Sequence, residues 1–103
     1  MSYLDRTALG IREHVASNLI PPDSGTLFLL YAVLAFVKGK SVTTGDVHTA
    51  WTAWMDLKGE EHPSKVPFEQ LDAQAQAEDQ PFVDAIRAVA QGMNRGYTGS
   101  RQH

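Results

Sequence analysis

Apolar residues recur every three or four positions through the first twenty residues of the chain. The series is Leu4, Ala8, Ile11, Val15 and Leu19. This spacing places all five on one face of a helix, so it predicts an amphipathic first helix over residues 3–19. The pair Pro21-Pro22 cannot continue a helix, and it predicts where this one ends.

The next segment is almost purely apolar. The run LFLLYAVLAFV, residues 27–37, has eleven residues, whereas a membrane-spanning helix needs about 20. We therefore expect a buried core helix, capped by Asp23 or Ser24. Lys38-Gly39-Lys40 predicts its end, because glycine suits a left-handed turn and the lysines favour the negative end of the helix dipole.

Two further helices follow from the same kind of pattern. Thr43 or Thr44 is a favourable N-cap for a third helix with Asp46 in its first turn, and Gly59 predicts its end. Its apolar face holds Val47, Ala50, Trp51 and Trp54. A fourth helix begins near Asp79, and its apolar face holds Phe82, Ala85, Ile86, Val89 and Met93.

These elements predict an all-α fold, a compact four-helix single domain over residues 1–97 with a flexible tail, 98–103. The stretch HPSKVPFEQL, residues 62–71, separates helices three and four. Its prolines restrict the backbone to extended or turn conformations, and Pro67 can open a short helical turn through Phe68 to Leu71. We therefore expect an ordered, proline-containing loop that is held by its own packing.

Composition narrows the class of protein. The chain has 103 residues, 43% of them hydrophobic, which is enough for one core. It has no cysteine, and its N-terminus lacks the apolar stretch of a signal peptide, so we predict a cytoplasmic protein without a membrane segment. The net charge is -3, and residues 45–103 carry -4. Because nucleic-acid-binding domains normally present a basic face, we do not expect nucleic acid as a partner.

The residue pattern gives little support to catalysis or metal binding. None of the four histidines lies at a zinc-ligand spacing. The sequence also lacks a Gly-x-Ser-x-Gly nucleophile motif and a glycine-rich phosphate loop. The carboxylates between Glu60 and Asp84 fit a solvated face. We predict no enzyme activity, no metal and no cofactor.

The two tryptophans carry the strongest functional signal. Trp51 and Trp54 lie three residues apart on a helix, so they are neighbours, and His62, Pro67 and Phe68 are expected nearby. These side chains form either a plug in the core or an aromatic-walled pocket for a flat ligand or for a partner's proline or cation. His48 shares a helix side with Trp51 and fits a half-buried packing histidine.

Part of the chain resembles the RyR domain, a module repeated in ryanodine receptors and found alone or fused in bacterial and phage proteins. The matching residues are His48, Trp51, His62, Pro63, Val66, Pro67, Phe68, Leu71, Glu78 and Asp79. The resemblance covers about residues 44–97, and the whole chain is similar to small proteins of actinobacteria and their phages. It implies a non-enzymatic binding module for a protein partner or a small nucleotide-like ligand, in a phage or defence setting.

We therefore expect a ligand- or partner-binding site. Its predicted members are His48, Trp51, Trp54, His62, Pro67 and Phe68. The alternative hypothesis is a helix-turn-helix DNA-binding regulator, because LAFVKGKSVTTGDVHTAW fits a helix, a short turn and a helix. Its second helix has no Arg or Lys before Lys58, although base readout depends on such residues. The stripe of helix one or the edge of helix two can also support a homodimer.

Overall fold

Five α-helices and three 3₁₀ turns make up the part of the chain that the structure, a computed structural model, describes. It describes residues 2–101, with side chains for residues 2–93. The α-helices are α1 (Tyr3–Glu13), α2 (Gly25–Val37), α3 (Thr44–Lys58), α4 (Ala73–Ala77) and α5 (Gln80–Arg101). The 3₁₀ turns are Ser17–Leu19, Gly39–Ser41 and Phe68–Gln70. These residues contain no strand, which confirms the predicted all-α fold. The predicted tail, 98–103, lies beyond the described side chains.

Helix α1 is shorter than its apolar pattern predicts. It begins with a capping box, in which the Asp5 N–H donates to Ser2 Oγ and the Ser2 N–H donates to Asp5 Oδ2, both at 3.1 Å. It ends at Glu13 rather than near residue 19, and a 3₁₀ turn over Ser17–Leu19 follows. Serine and asparagine at positions 17 and 18 are weak helix formers. The apolar stripe therefore continues through a tighter turn.

Helix α2 packs against α1, α3 and α5, as expected of a central helix. It is buried on one side only, since Val33, Phe36 and Val37 are exposed. Ser24 occupies the N-cap position but does not cap the helix, because its hydroxyl donates to the Pro21 carbonyl at 2.6 Å. The left-handed turn predicted at Gly39 is confirmed, with a φ of 58°.

Helix α3 has the ends that its sequence predicts. The Asp46 N–H donates to Thr43 Oγ1 at 3.2 Å, and the Thr43 N–H donates to Asp46 Oδ2 at 2.9 Å. This capping box satisfies two backbone donors that would otherwise lack partners. Gly59 ends the helix in the left-handed region, with a φ of 70°. Helix α3 is therefore fixed in length by local chemistry at both ends.

The connection after α3 is ordered, and it contains one element that the pattern misses. Pro67 leads into the 3₁₀ turn Phe68–Gln70, as predicted. The extra element is α4, a short helix capped by Asp72, whose Oδ1 accepts the Ala75 N–H at 2.8 Å. Helix α4 packs on α3 and leads directly into α5.

Arginine 87 links α5 to the turn before α3. Its Nε and Nη2 donate to the Val42 carbonyl at 3.1 and 2.7 Å, across 45 residues of sequence. Val42 is completely buried, so this carbonyl needs a partner inside the protein. The four long helices thus enclose one core, in which Ile11, Val47 and Ile86 are also fully buried. None of the described helices is both long enough and apolar enough to cross a membrane.

Candidate functional site

Helix α3 places its aromatic residues on two faces. Val47, Ala50 and Trp54 are buried in the core that α3 shares with α2 and α5. His48 and Trp51, one turn apart, face the connection that follows the helix. His48 is buried and Trp51 is half-buried. The candidate site is built on this second face.

The buried imidazole of His48 anchors the connection. It is 5% exposed, and its Nε2 lies 2.6 Å from the Val66 carbonyl oxygen. A carbonyl can only accept a hydrogen bond, so Nε2 carries the proton and donates it. Helix α3 thus holds the loop by a bond between residues 18 positions apart.

Trp51 lies between two imidazole rings. It stacks on His48 with centroids 5.7 Å apart and an interplanar angle of 24°. The ring of His62 meets it edge to face, at 5.2 Å and 89°. His62 is oriented by its own loop, since its Nδ1 accepts the Ser64 N–H at 3.0 Å. These contacts fix the indole in place beside open space.

That space is a cavity of about 290 Å³, which we call the α3 cavity. Its apolar lining comes from Leu19, Pro21, Leu27, Leu71, Ala75 and Phe82. Its polar and aromatic lining comes from Tyr31, His48, Trp51, His62, Ser64, Glu78 and Asp79. A mostly apolar cavity with a few converging polar groups is the usual form of a small-ligand site.

Asp79 is a partly buried acid in this lining. Its carbonyl accepts the N–H groups of Phe82 and Val83 at 3.1 Å each, so it stands at the N-cap position of α5. Its carboxylate makes no hydrogen bond or ion pair with any described residue. Burial raises the pKa of Asp79 to about 6, His48 acts in the opposite direction, and the charge of Glu78 raises it further. A carboxylate left in this state marks a candidate functional group.

Tyr31 brings a hydroxyl into the same cavity. The residue is 2% exposed, and no described residue shares a hydrogen bond with its hydroxyl. Every fully buried polar side-chain atom among the described residues does have a partner. The hydroxyl therefore reaches the open space of the α3 cavity. Burial, helped by the charge of Asp79, raises the pKa of Tyr31 well above its ordinary value and keeps this hydroxyl protonated.

The six predicted site residues do not come together in one place. His48, Trp51 and His62 line the α3 cavity. Pro67 and Phe68 line a separate recess of about 260 Å³ on the other side of His48, with the Phe68 ring 6.1 Å from that imidazole. Trp54 is only 4% exposed and belongs to the core. The three-residue spacing predicts that the two tryptophans are neighbours, but it does not predict that Trp54 is buried in the core.

Sequence reasoning did not include Tyr31, Glu78 and Asp79 in the site. Tyr31 is the only side chain with a polar atom in the apolar run from 27 to 37, and a hydroxyl in such a run needs a partner or a cavity. That signal was available. The burial of Asp79 depends on how α4 and α5 meet, and no local pattern encodes it. In the described part of the chain, no group of three or more His, Asp or Glu side chains is placed to hold a metal.

The fold and the α3 cavity define a small all-helical domain with an acidic and aromatic cavity beside α3. The chain belongs to a family described as a domain of unknown function, DUF7701, whose model matches residues 2–91. Searches of curated proteins and of solved structures found no match.

The family match overturns the resemblance to the RyR domain. No RyR-type family is detected, and the matching family model starts at residue 2, so it includes α1 and α2. The residues that suggested RyR are chiefly those of the connection. Their prolines and apolar side chains meet a general need, because they order a loop and pack it against helices. A short string of this kind does not define a family.

Proposed function

We propose that this protein is a non-enzymatic binding module and that the α3 cavity is its binding site. The observation that carries the proposal is the Asp79 carboxylate, which is partly buried beside the Tyr31 hydroxyl without a hydrogen-bond partner among the described residues. Partial burial of a carboxylate costs solvation free energy, and no described residue offsets that cost here with a hydrogen bond. Such an arrangement is explained when a ligand or a partner's side chain supplies the missing contact.

The cavity lining supports binding over catalysis. Ser64 is the one aliphatic hydroxyl in the lining, and the described structure shows no hydrogen bond from that hydroxyl to His48 or His62. Nucleophilic catalysis requires such a hydroxyl–base pair. His48 is also committed through Nε2 to the Val66 carbonyl. Its role is then to hold the loop.

The acidic lip of the cavity bears on the kind of ligand. Glu78 and Asp79 repel phosphates, so among nucleotide-like ligands uncharged nucleosides fit better than nucleotides. A protein partner can use the same cavity by inserting one side chain. Both remain within the proposal, and so does the cytoplasmic location predicted from the sequence.

A single-tryptophan variant provides the test. Trp54→Phe leaves Trp51 as the only tryptophan, so its fluorescence reports on the cavity wall. Titration with a panel of nucleosides, nucleotides and small aromatic compounds is expected to give a saturable change for some members. Ala75→Leu, which fills the cavity, is expected to abolish it.

Ala77→Leu is the matched control for this experiment. Ala77 lies on the same short helix but is exposed and does not line the cavity. Binding that survives Ala77→Leu and disappears with Ala75→Leu supports the cavity as the site. A panel without any saturable response, or binding indifferent to Ala75→Leu, would contradict the proposal.

The helix-turn-helix hypothesis remains as an alternative. Helices α2 and α3 are joined by a short 3₁₀ turn, as that motif requires. Yet Lys38, the cation beside the start of α3, pairs with Asp46 at 3.7 Å, and α3 has no other cation before Lys58. A gel shift with genomic fragments at low salt tests it, and a sequence-specific shift would favour DNA binding.

The predicted homodimer also remains untested. The exposed apolar side chains of α2, Val33, Phe36 and Val37, form the surface on which it would be built. Light scattering at increasing protein concentration measures the mass directly. A monomer at all concentrations would exclude the dimer.

A further inference from the structure

The α3 cavity is rich in hydrogen-bond acceptors and poor in donors. Its lining holds the two carboxylates Glu78 and Asp79 but no lysine or arginine. The Nε2–H of His48 is already donated to the Val66 carbonyl. His62 lies at the exposed rim. Tyr31 and Asp79 line the same cavity, and no described residue forms a hydrogen bond or ion pair with the Asp79 carboxylate. The missing element is a positively charged donor.

The cavity walls suit the apolar part of such a ligand. Trp51, Tyr31 and Phe82 supply aromatic faces, and aromatic faces attract cations and stack on flat groups. The volume of about 290 Å³ corresponds to roughly ten water molecules. It therefore admits a small organic molecule or one long side chain.

We infer that the ligand of the α3 cavity carries a primary amine or guanidinium on an aromatic or apolar body, with the cation set against Asp79 and the body against Trp51. This inference rests on the proposed function, because it names the class of ligand for the same site. Tyr31, a residue that is only 2% exposed and whose hydroxyl has no hydrogen-bond partner among the described residues, supports it independently of the two carboxylates. It gives the ligand a second polar contact inside the cavity.

Three probes of matched size test the inference in the Trp54→Phe background. They are 2-phenylethylamine, 2-phenylethanol and 3-phenylpropionate, which carry a positive, a neutral and a negative group on the same ring. We expect the amine to bind at least about tenfold more tightly than the alcohol, since a single unscreened ion pair in a partly buried site exceeds that energy. The propionate is expected to bind most weakly.

Two variants assign the preference to its residue. Asp79→Asn keeps the shape of the side chain and is expected to remove the preference for the amine. Asp84→Asn is the matched control, because Asp84 is an exposed carboxylate one turn along α5 that pairs with Gln80 and does not line the cavity. It changes the net charge equally and is expected to leave the preference intact.

Lowering the pH gives a second readout. Protonation of Asp79 as the pH falls through about 6 weakens amine binding, by about tenfold at one pH unit below that value. Glu78, His48, His62 and Tyr31 also face the cavity, so the pH profile is measured in Asp79→Asn as well. The drop near pH 6 is expected to be absent there.

The outcomes separate this inference from the proposed function. If the alcohol or the propionate binds as tightly as the amine and Ala75→Leu still blocks binding, the ligand is not a cation but the cavity remains a site. If none of the three probes binds while other members of the panel do, the inference that the ligand is a cation is also wrong. If the whole panel is silent, both proposals fail.

Discussion

The two faces of α3 each carry a tryptophan, and the two tryptophans differ in burial. Trp54 is sealed in the core, where it packs with aliphatic and aromatic side chains and is covered by the ammonium group of Lys58, 3.9 Å from the ring centroid. Trp51, three residues earlier, is half-buried between His48 and His62 and borders a cavity. The core face has no polar group without a partner. The cavity face leaves a carboxylate and a hydroxyl without a partner among the described residues, and this difference is the basis for proposing that the cavity face binds a ligand.

Truncating the two tryptophans separately should give the largest contrast. Trp54→Ala is expected to lower the free energy of unfolding by about 3–5 kcal/mol, because it opens a void in the core. Trp51→Ala removes a half-buried ring and is expected to cost about 1–2 kcal/mol. Urea unfolding followed by circular dichroism measures both. Equal losses of unfolding free energy in the two variants would show that both faces of α3 contribute equally to stability.

The bond between His48 and the loop gives the next largest effect. His48→Ala is expected to cost about 2–3 kcal/mol, since it removes a buried ring and leaves the Val66 carbonyl without its donor. His62→Ala is the control, because that ring is exposed, and its loss should cost less than about 1 kcal/mol. Similar unfolding free energies for the two variants would contradict the anchoring role of His48.

The ionised Asp79 carboxylate on the cavity face is expected to lower the stability of the fold. Its folded-state pKa is raised from 3.8 to about 6, so the folded protein holds this proton more tightly than the unfolded chain. The penalty is absent below about pH 4, develops as the pH rises to about 6, and is fully present above that. Asp79→Asn is therefore expected to stabilise the fold by about 1–2 kcal/mol at pH 7.5, after allowance for partial exposure.

The same substitution should have no effect at low pH. At about pH 2.5 the Asp79 carboxyl is protonated in both states, so the gain in unfolding free energy is expected to vanish. Asp84→Asn, at an exposed position, is expected to change stability by less than about 0.5 kcal/mol at either pH. A destabilised Asp79→Asn variant at pH 7.5 would mean that the carboxylate is satisfied in the folded protein.

The smallest expected effect comes from the Lys58 ammonium group that lies over the Trp54 ring. Lys58→Met keeps the apolar stem but removes the cation over the indole, and it is expected to cost about 0.5 kcal/mol. Lys58 also pairs with Glu60 at 2.9 Å, so Glu60→Gln measures the contribution of that pair alone. Equal losses in the two variants would assign the effect to the salt bridge.

Local chemistry explains what could be predicted from the sequence. The N-cap at Thr43 with Asp46 in the first turn, the left-handed Gly39, the end of α3 at Gly59 and the turn after Pro67 are all confirmed. Each depends on a few adjacent residues whose backbone preferences are strong. The end of α1 was predicted wrongly, because the apolar periodicity continues past Glu13 although the helix does not.

Long-range contacts explain what could not be predicted. The bond from His48 to Val66 joins residues 18 apart, and the pocket at Asp79 requires α4 and α5 to meet against α2 and α3. Spacing on one helix also cannot say which of two tryptophans the rest of the chain will cover. The predicted site therefore contained three of the five aromatic and imidazole side chains that line the α3 cavity, and it missed the two carboxylates.

The bond from Arg87 to the Val42 carbonyl has a consequence for the nascent chain. At typical synthesis rates of about 5–20 residues per second, Arg87 is added about 2–9 seconds after Val42. Helices α1 and α2 are neighbours in sequence and pack on each other, so they can pair on the ribosome during this interval. The turn before α3 must wait for α5 to supply its donor. The turn before α3 therefore gains this partner only when a residue from α5 reaches back to the entrance of α3.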